Sequence, residues 1–294
     1  MKTQVTLVLK EIPSVPVEAE SINPENVTEK GIQEIESMLL WCGNRQERVG
    51  DYFDVEITSL EETKNGVANP VFNSPDKGQK NLAKLVLQGD LSKFKRLGQG
   101  MTAGEMVIQG SVGFHAGALM RGGTLLIQEN AADWLGAHME GGQIQVKGSV
   151  GHFVGSAYRG KTKGMTGGTI LIGGNAGQML GARMGRGLIA VEGDCGDAPG
   201  CGMMAGTILI QGTPGIRVGA KMHRGTVILF QSKVLLPTFY YNCTYKVPFW
   251  SLLYNQLIRE GFSLPASYQD VSFRRYSGDA NEGGKGEILI CLCH

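Results

Sequence analysis

The chain has 294 residues, with 28 Lys and Arg against 27 Asp and Glu and a formal net charge of +1. Charge this balanced gives no electrostatic footing for nucleic acid, no apolar run approaches the ~20 residues of a membrane span, and the alternating start with Glu11 soon after lacks the pattern of a signal peptide, so a cytoplasmic protein is expected. The six cysteines sit at irregular spacing with no Cys-x-x-Cys pair, so neither disulfides nor an iron–sulfur site is expected.

Residues 1–81 read as an N-terminal α/β cap segment. Gln4 to Leu9 alternates like a strand, and Pro13 and Pro16 interrupt the chain beyond it. A helix is predicted from about Pro24 or Thr28 to Leu39, with Ile32, Ile35, Met38 and Leu39 at helical spacing. Asp51 to Ile57 reads as a second strand. Residues 61 to 81 carry Asn65-Gly66, Pro70, Pro75 and Gly78 and read as a loop.

Residues 82–234 repeat one unit. Gly104, Gly123 and Gly142 are 19 residues apart, and Gly168, Gly187, Gly206 and Gly225 resume that step after a seven-residue insert, placed at Lys161 to Gly167. An earlier copy shows in Leu85 to Gly89, which matches Met106 to Gly110. Counting from the first glycine, positions three and five are aliphatic, as in Ile170 and Ile172, and read as a strand. A second alternation comes later in the unit, in Leu180, Ala182 and Met184. Position fourteen is glycine in six consecutive full units: Gly117, Gly136, Gly155, Gly181, Gly200 and Gly219. Glycine there answers a need for positive φ or close chain approach. A helix is excluded, because glycine every four or five residues costs about 1 kcal/mol each in a helix interior. The expected fold is mainly β: a right-handed parallel β-helix of about seven coils, like residues stacked roughly 4.8 Å apart, with small α/β flanking segments.

Residues 235–294 read as a helix plus strands packing on the rod or on a partner. Pro248 suits a helix start, Phe249, Leu252, Leu253, Leu257 and Ile258 form its apolar stripe, and Gly261 closes it. Val271 to Tyr276 and Glu287 to Leu292 read as strands joined by a loop. Whether this segment lies along the side or across the end of the rod stays open.

Several motifs dissolve into the repeat. Gly155 to Thr162 has the spacing of a phosphate loop, but Gly164 and Gly167 break the helix that such a loop requires. Gly98-Gln-Gly100 is in phase with the repeat and also lacks a following helix. His115, His138, His152 and His223 occupy different repeat positions and form no ligand column. Asp133 and Asp197 share one position, but three coils, some 14 Å, separate them, too far for a paired acid and base. Met101, Met120, Met139, Met184, Met203 and Met222 share position seventeen, with Tyr158 replacing one, and read as core filler. Cys291-Leu-Cys293-His294 reads as a frayed terminus rather than a metal site. No catalytic, cofactor-binding or metal residue is expected. The insert must leave the stack, so Lys161, Thr162, Lys163, Gly164 and Met165 form the candidate partner-contact loop.

Gly177-Gln-Met-Leu-Gly181-Ala-Arg-Met184 resembles the glycine-patterned β-helix domain at the C-terminus of the glutamate synthase large subunit, a non-catalytic spacer. With the flanks included, namely Trp41-Cys-Gly-Asn44, Val49-Gly-Asp-Tyr-Phe53, Phe273-Arg-Arg-Tyr276-Ser-Gly-Asp279 and Glu282-Gly-Gly-Lys-Gly-Glu-Ile288, essentially the whole chain resembles the C subunit of formylmethanofuran dehydrogenase.

That resemblance implies a non-catalytic structural subunit of a complex that reduces carbon dioxide with ferredoxin electrons and attaches the formyl group to methanofuran, the first step of methanogenesis from carbon dioxide. It implies the A, B and D subunits and a ferredoxin-type iron–sulfur subunit as partners. Those partners are expected to carry a tungsten or molybdenum pterin, iron–sulfur clusters and a dinuclear metal site, with no cofactor on this chain. The C subunit of the methylotroph formyltransferase/hydrolase complex, without redox chemistry, is the alternative. A stand-alone β-helix binding protein or carbohydrate-active enzyme is the third reading.

Overall fold

A computed structural model of the chain describes residues 2–60 and 83–292. Its frame is one open sheet of thirteen strands. β1 (Lys2–Leu9) and β2 (Phe53–Leu60) come from the N-terminal region. Each repeat unit then adds one short strand: β3 (Lys84–Gln88), β4 (Glu105–Gln109), β5 (Thr124–Ile127), β6 (Gln143–Val146), β7 (Thr169–Ile172), β8 (Leu188–Val191), β9 (Thr207–Ile210) and β10 (Thr226–Leu229). β11 (Tyr240–Tyr245), β12 (Phe273–Gly278) and β13 (Gly286–Cys291) complete it. The order is β11-β12-β13-β10-β9-β8-β7-β6-β5-β4-β3-β1-β2. Neighbours from β1 through β13 run parallel, and the outer pairs are antiparallel.

Register follows the repeat. Ile144 pairs with Leu125 and Ile170, and Ile189 pairs with Ile170 and Ile208. All five are fully buried. Because side chains alternate across a strand, positions three and five point into the stack together and a one-residue slip would expose both.

The expected right-handed parallel β-helix of about seven coils is corrected here. The sheet is open, with edges at β2 and β11. The second alternating stretch of each unit is not a strand, although Met179, Gly181 and Arg183 donate their N–H groups to Asp197 O, Val154 O and Cys201 O of neighbouring turns. Single parallel bridges, Leu91 to Val112 to Ala131 to Val150 to Ala176 to Cys195 to Pro214, join the turns at position nine, ahead of it. The reason is backbone conformation. Met179, Gly181 and Arg183 have φ of 60°, 62° and 58°. Leu180, Ala182 and Met184 between them are buried. Left-handed residues at every second place reproduce the period of a strand without its extended chain. The flanks also differ from small caps, since β1, β2, β11, β12 and β13 are full members of the sheet.

The N-terminal region grips the first turns. In place of one helix to Leu39, α1 (Pro24–Val27) and α2 (Ile32–Glu36) are separated by a break at Gly31, and Leu39–Cys42 is a strand of a small second sheet. The Gly31 N–H bonds the Glu34 carboxylate at 2.8 Å, which starts a new helix rather than continuing the old one. The Glu25 carboxylate accepts from Thr102 N, Thr102 Oγ1 and Ala103 N at 2.6, 2.6 and 2.7 Å. Glu18 pairs with Lys95 and Arg96 at 3.2 and 2.7 Å. A turn of helix, α3 (Val49–Tyr52), leads into β2. The expected loop over residues 61 to 81, and with it the boundary at 81/82, lies outside the described residues.

The C-terminal region packs on the side and extends the end. β13 pairs with β10 and continues the parallel run. α4 (Trp250–Arg259) lies on the outer face of the sheet, where Leu171, Ala190, Leu209, Ile228 and Leu289 pack with Trp250, Leu257 and Phe273. The antiparallel edge β11 has no counterpart among the expected strands. Asp279, just beyond β12, closes the last turn by accepting from Lys221 N at 2.9 Å and Asn281 N at 3.1 Å. Burial alone would raise its pKa, but these bonds outweigh burial and hold the carboxyl below its ordinary 3.8.

Substitutions at the glycine corner and at Asp279 test this packing. Gly136→Ala combines a left-handed φ of 59° with a Cβ 2.6 Å from Ile170 Cδ1. It is expected to cost about 2–5 kcal/mol in denaturant unfolding. Gly160→Ala, with φ of 81° but open space around it, is expected to cost only about 1–2 kcal/mol. For Asp279, the folded-state pKa is depressed, so its contribution is complete above 3.8 and is lost as pH falls through the lowered value. Asp279→Asn should therefore lower stability at neutral pH and lessen the loss between neutral and strongly acid pH in a pH series of thermal melts.

Candidate functional site

The glycine corner is built from left-handed places at positions twelve, fourteen and sixteen, except that Ala157 in the turn of the insert is not left-handed. At position fourteen stand Gly117, Gly136, Gly155, Gly181, Gly200 and Gly219, all with positive φ. Each donates its N–H to the preceding turn: Gly136 to Ala116 O and Gly155 to Leu135 O, both at 2.9 Å. A Cβ at Gly117, Gly136, Gly155 or Gly181 would meet an isoleucine Cδ1 at 2.5 to 2.7 Å. These glycines let the chain touch the aliphatic column.

Polar side chains on the outer face serve the backbone of the next turn. Asn130 Oδ1 accepts from Ser149 N, Ser149 Oγ from Asn175 N, Asn175 Oδ1 from Asp194 N, and Asp194 Oδ1 from Thr213 N, at 2.7 to 3.0 Å. A parallel ladder runs from Asp133 to His152 N at 2.8 Å, from His152 Nδ1 to Gln178 N at 2.9 Å, and from Asp197 to Ile216 N at 3.0 Å. The shared position of Asp133 and Asp197 is thus a structural one. Among the described residues, no group of three or more His, Cys, Asp or Glu is placed to hold a metal ion. Cys195 is buried, and burial pushes its thiol up to about 12, which keeps it protonated and unreactive. Cys291 is disulfide-bonded, against the expectation of thiols throughout; residues 293 and 294 lie outside the described residues.

The insert sits elsewhere than the glycine phase suggests. Ala157 N bonds Ala182 O at 3.1 Å as position sixteen, and Met165 N bonds Gly155 O at 2.9 Å as Met184 N bonds Gly181 O. Met165 is fully buried in the core. It therefore holds the methionine place assigned to Tyr158, and the inserted residues are 158–164. Of the five residues expected in the contact loop, Lys161, Thr162 and Lys163 are exposed while Gly164 and Met165 are buried. The signal is present in the chain: Met165-Thr-Gly-Gly168 parallels Met120-Arg-Gly-Gly123.

Tyr158 roots the insert between two histidines. Its N–H donates to His138 Nε2 at 2.9 Å, and its hydroxyl bonds His115 Nδ1 at 3.0 Å. Burial lowers the pKa of both imidazoles; Arg96 and Lys95 add to it at His115, and Lys161 at His138. Beside them Trp134 stacks on Phe153, with centroids 4.4 Å apart and planes 9° from parallel, and Tyr158 lies 5.1 Å from Trp134. The 19-residue spacing carries part of this cluster, since His115, Trp134 and Phe153 share position twelve, but His138 and Tyr158 lie at other places and join them only across turns.

A repeat-built stack, with its polar side chains engaged by its own backbone and its unusual chemistry at one outer corner, defines a protein that presents surface. No protein-family model matches the chain. It is 37% identical over 116 residues to the C subunit of the tungsten-containing formylmethanofuran dehydrogenase 2 of Methanothermobacter thermautotrophicus, a stretch covering 40% of this chain and 37% of that relative. It is 35% identical over 113 residues to the C subunit of the molybdenum-containing formylmethanofuran dehydrogenase 1 of Methanosarcina barkeri, covering 38% and 32%. Thus the chain aligns with only about a third of the length of these curated relatives. A chain in the crystal structure of the formyltransferase/hydrolase complex (FhcABCD) from Methylorubrum extorquens, in complex with methylofuran, is 30% identical over 97% of this chain and 98% of its own, with a TM-score of 0.82. The chain belongs to the family that holds the formylmethanofuran dehydrogenase C subunits and this end-to-end structural relative.

The histidine anchors are testable directly. Both folded-state values are depressed, so the contribution of the neutral, hydrogen-bonded form is complete above 6.5 and is lost as pH falls through the lowered values. Titration by NMR should give His115 and His138 midpoints below 6.5. Tyr158→Ala should move both upward toward that value, as rings freed of the covering tyrosine regain water.

Proposed function

We propose that this chain is a structural subunit, with no catalytic residue or cofactor of its own, of a formylmethanofuran dehydrogenase complex in the cytoplasm. The complex would reduce carbon dioxide with ferredoxin electrons and attach the formyl group to methanofuran. The A, B and D subunits and a ferredoxin-type subunit would be the partners. They would carry a tungsten or molybdenum pterin, iron–sulfur clusters and a dinuclear metal site. The observation that supports this most is the likeness to formylmethanofuran dehydrogenase C subunits from both tungsten- and molybdenum-containing enzymes, at 32 to 37% identity. A stiff stack suits the role, because a preordered surface lowers the entropy lost when partners dock. Residues 82–234 would supply the docking body, residues 1–81 one end, and residues 235–294 the other end and a flank.

A second reading, a subunit of a formyltransferase/hydrolase complex without redox centres, is favoured by the end-to-end likeness to the Methylorubrum chain. One purification separates the two. The tagged chain is isolated from its native host, its partners are identified by mass spectrometry, and tungsten, molybdenum and iron are measured. The dehydrogenase predicts tungsten or molybdenum with iron, and formylmethanofuran formation that stops when this chain is removed. Formyl transfer without those metals supports the second reading. Activity of the isolated chain contradicts both.

A further inference from the structure

The insert is a built projection rather than a slack loop. Tyr158 is held by His138 and His115, Gly164 N donates to Arg183 O at 2.8 Å, and the Arg183 guanidinium donates to Lys161 O at 2.7 Å. Its cations Arg159, Lys161 and Lys163 are exposed, and they form no ion pair among the described residues. Next to it runs a column of rings at position twelve: His115, Trp134 and Phe153, with φ of 63°, 65° and 61°. Phe114 beside them is 41% exposed.

The repeat does not require these rings. The same left-handed place holds Arg96, Met179, Ala198 and Arg217 in other turns. Bulky residues at positive φ are uncommon and strained. Here three consecutive ones stand in the turns beside the seven-residue insert. Rings at the centre with arginine and lysine around them have the composition of a protein-binding hot spot. Unpaired cations on a held loop call for carboxylates opposite, which favour encounter and fix register.

Building on the functional reading above, we propose that this corner, comprising Arg159, Lys161 and Lys163 with the Trp134–Phe153 stack, docks an acidic segment of another subunit of the same complex. Its carboxylates meet the insert, and an apolar side chain rests on the half-buried Trp134–Phe153 stack and the exposed Phe114 ring.

The test uses the tagged chain expressed in its native host with its partners, carrying a photo-crosslinking residue at Thr162. The expected result is a cross-link to an Asp- and Glu-rich peptide of another subunit. The same subunit should dissociate about tenfold more readily, or more, from Lys161→Glu/Lys163→Glu than from wild type, the gap narrowing at high salt. Lys147→Glu/Arg224→Glu, on other exposed surface, should change nothing. Phe114→Ala, which removes an exposed ring without touching the core, should weaken retention with little dependence on salt. A cross-link to a second copy of this chain, or to a peptide without acidic residues, overturns the proposal. Unchanged retention of partners by the Lys161/Lys163 variant overturns it too, while leaving the functional reading intact. Failure of wild type to bring down any formyl-transfer subunit overturns that reading, and this proposal with it.

Discussion

The structure depends on one close approach. In every turn the chain bends through a left-handed glycine whose N–H reaches the turn before it and whose missing Cβ makes room for an aliphatic side chain. A side chain there would strain the backbone, and at Gly117, Gly136, Gly155 and Gly181 it would also strike an isoleucine of the core. This requirement repeats every 19 residues and explains why the period is strict. It also dictates where extra residues can enter. The insert leaves the stack between Ala157 and Met165, after the glycine corner and before the methionine column, so each flanking contact is preserved.

The same constraint governs the polar surface. Stacked turns leave backbone N–H groups between rungs that extended strands do not reach, and an unmatched buried N–H is costly. Asn, Ser, Asp and His side chains fill that need, each bonding the next turn. Groups that would otherwise suggest chemistry are thereby engaged in structure, while the interior is closed by isoleucine, valine and methionine. What is left for recognition lies outside, at the ends and at the corner that carries the rings and the insert.

Much of this is legible in the residues, and the failures have physical causes. The strands at positions three and five are visible because aliphatics alternate in phase with glycine. The second alternation misleads: Leu180, Ala182 and Met184 point inward with a strand's period, but the residues between them are left-handed, so this stretch adds no strand to a sheet and the expected parallel β-helix is not seen. The glycine phase sets the length of the insert and not its place, because it marks only Gly155 and Gly168. Tyr240–Tyr245 hides as a strand because nearly all of it is exposed at a sheet edge, where no alternation is imposed. The Tyr158 cluster is only half visible: His115, Trp134 and Phe153 recur at position twelve, but the insert and His138 reach them only across turns, a relation no local pattern encodes.

Amide hydrogen exchange on the folded chain examines the central constraint most directly. If the glycine corner holds turn to turn, the N–H groups of Gly117, Gly136, Gly155, Gly181, Gly200 and Gly219 belong to the slowest-exchanging set and open together with the strand amides of β4 to β10. Exchange of those six amides as fast as that of residues 159–163 in the insert would contradict it.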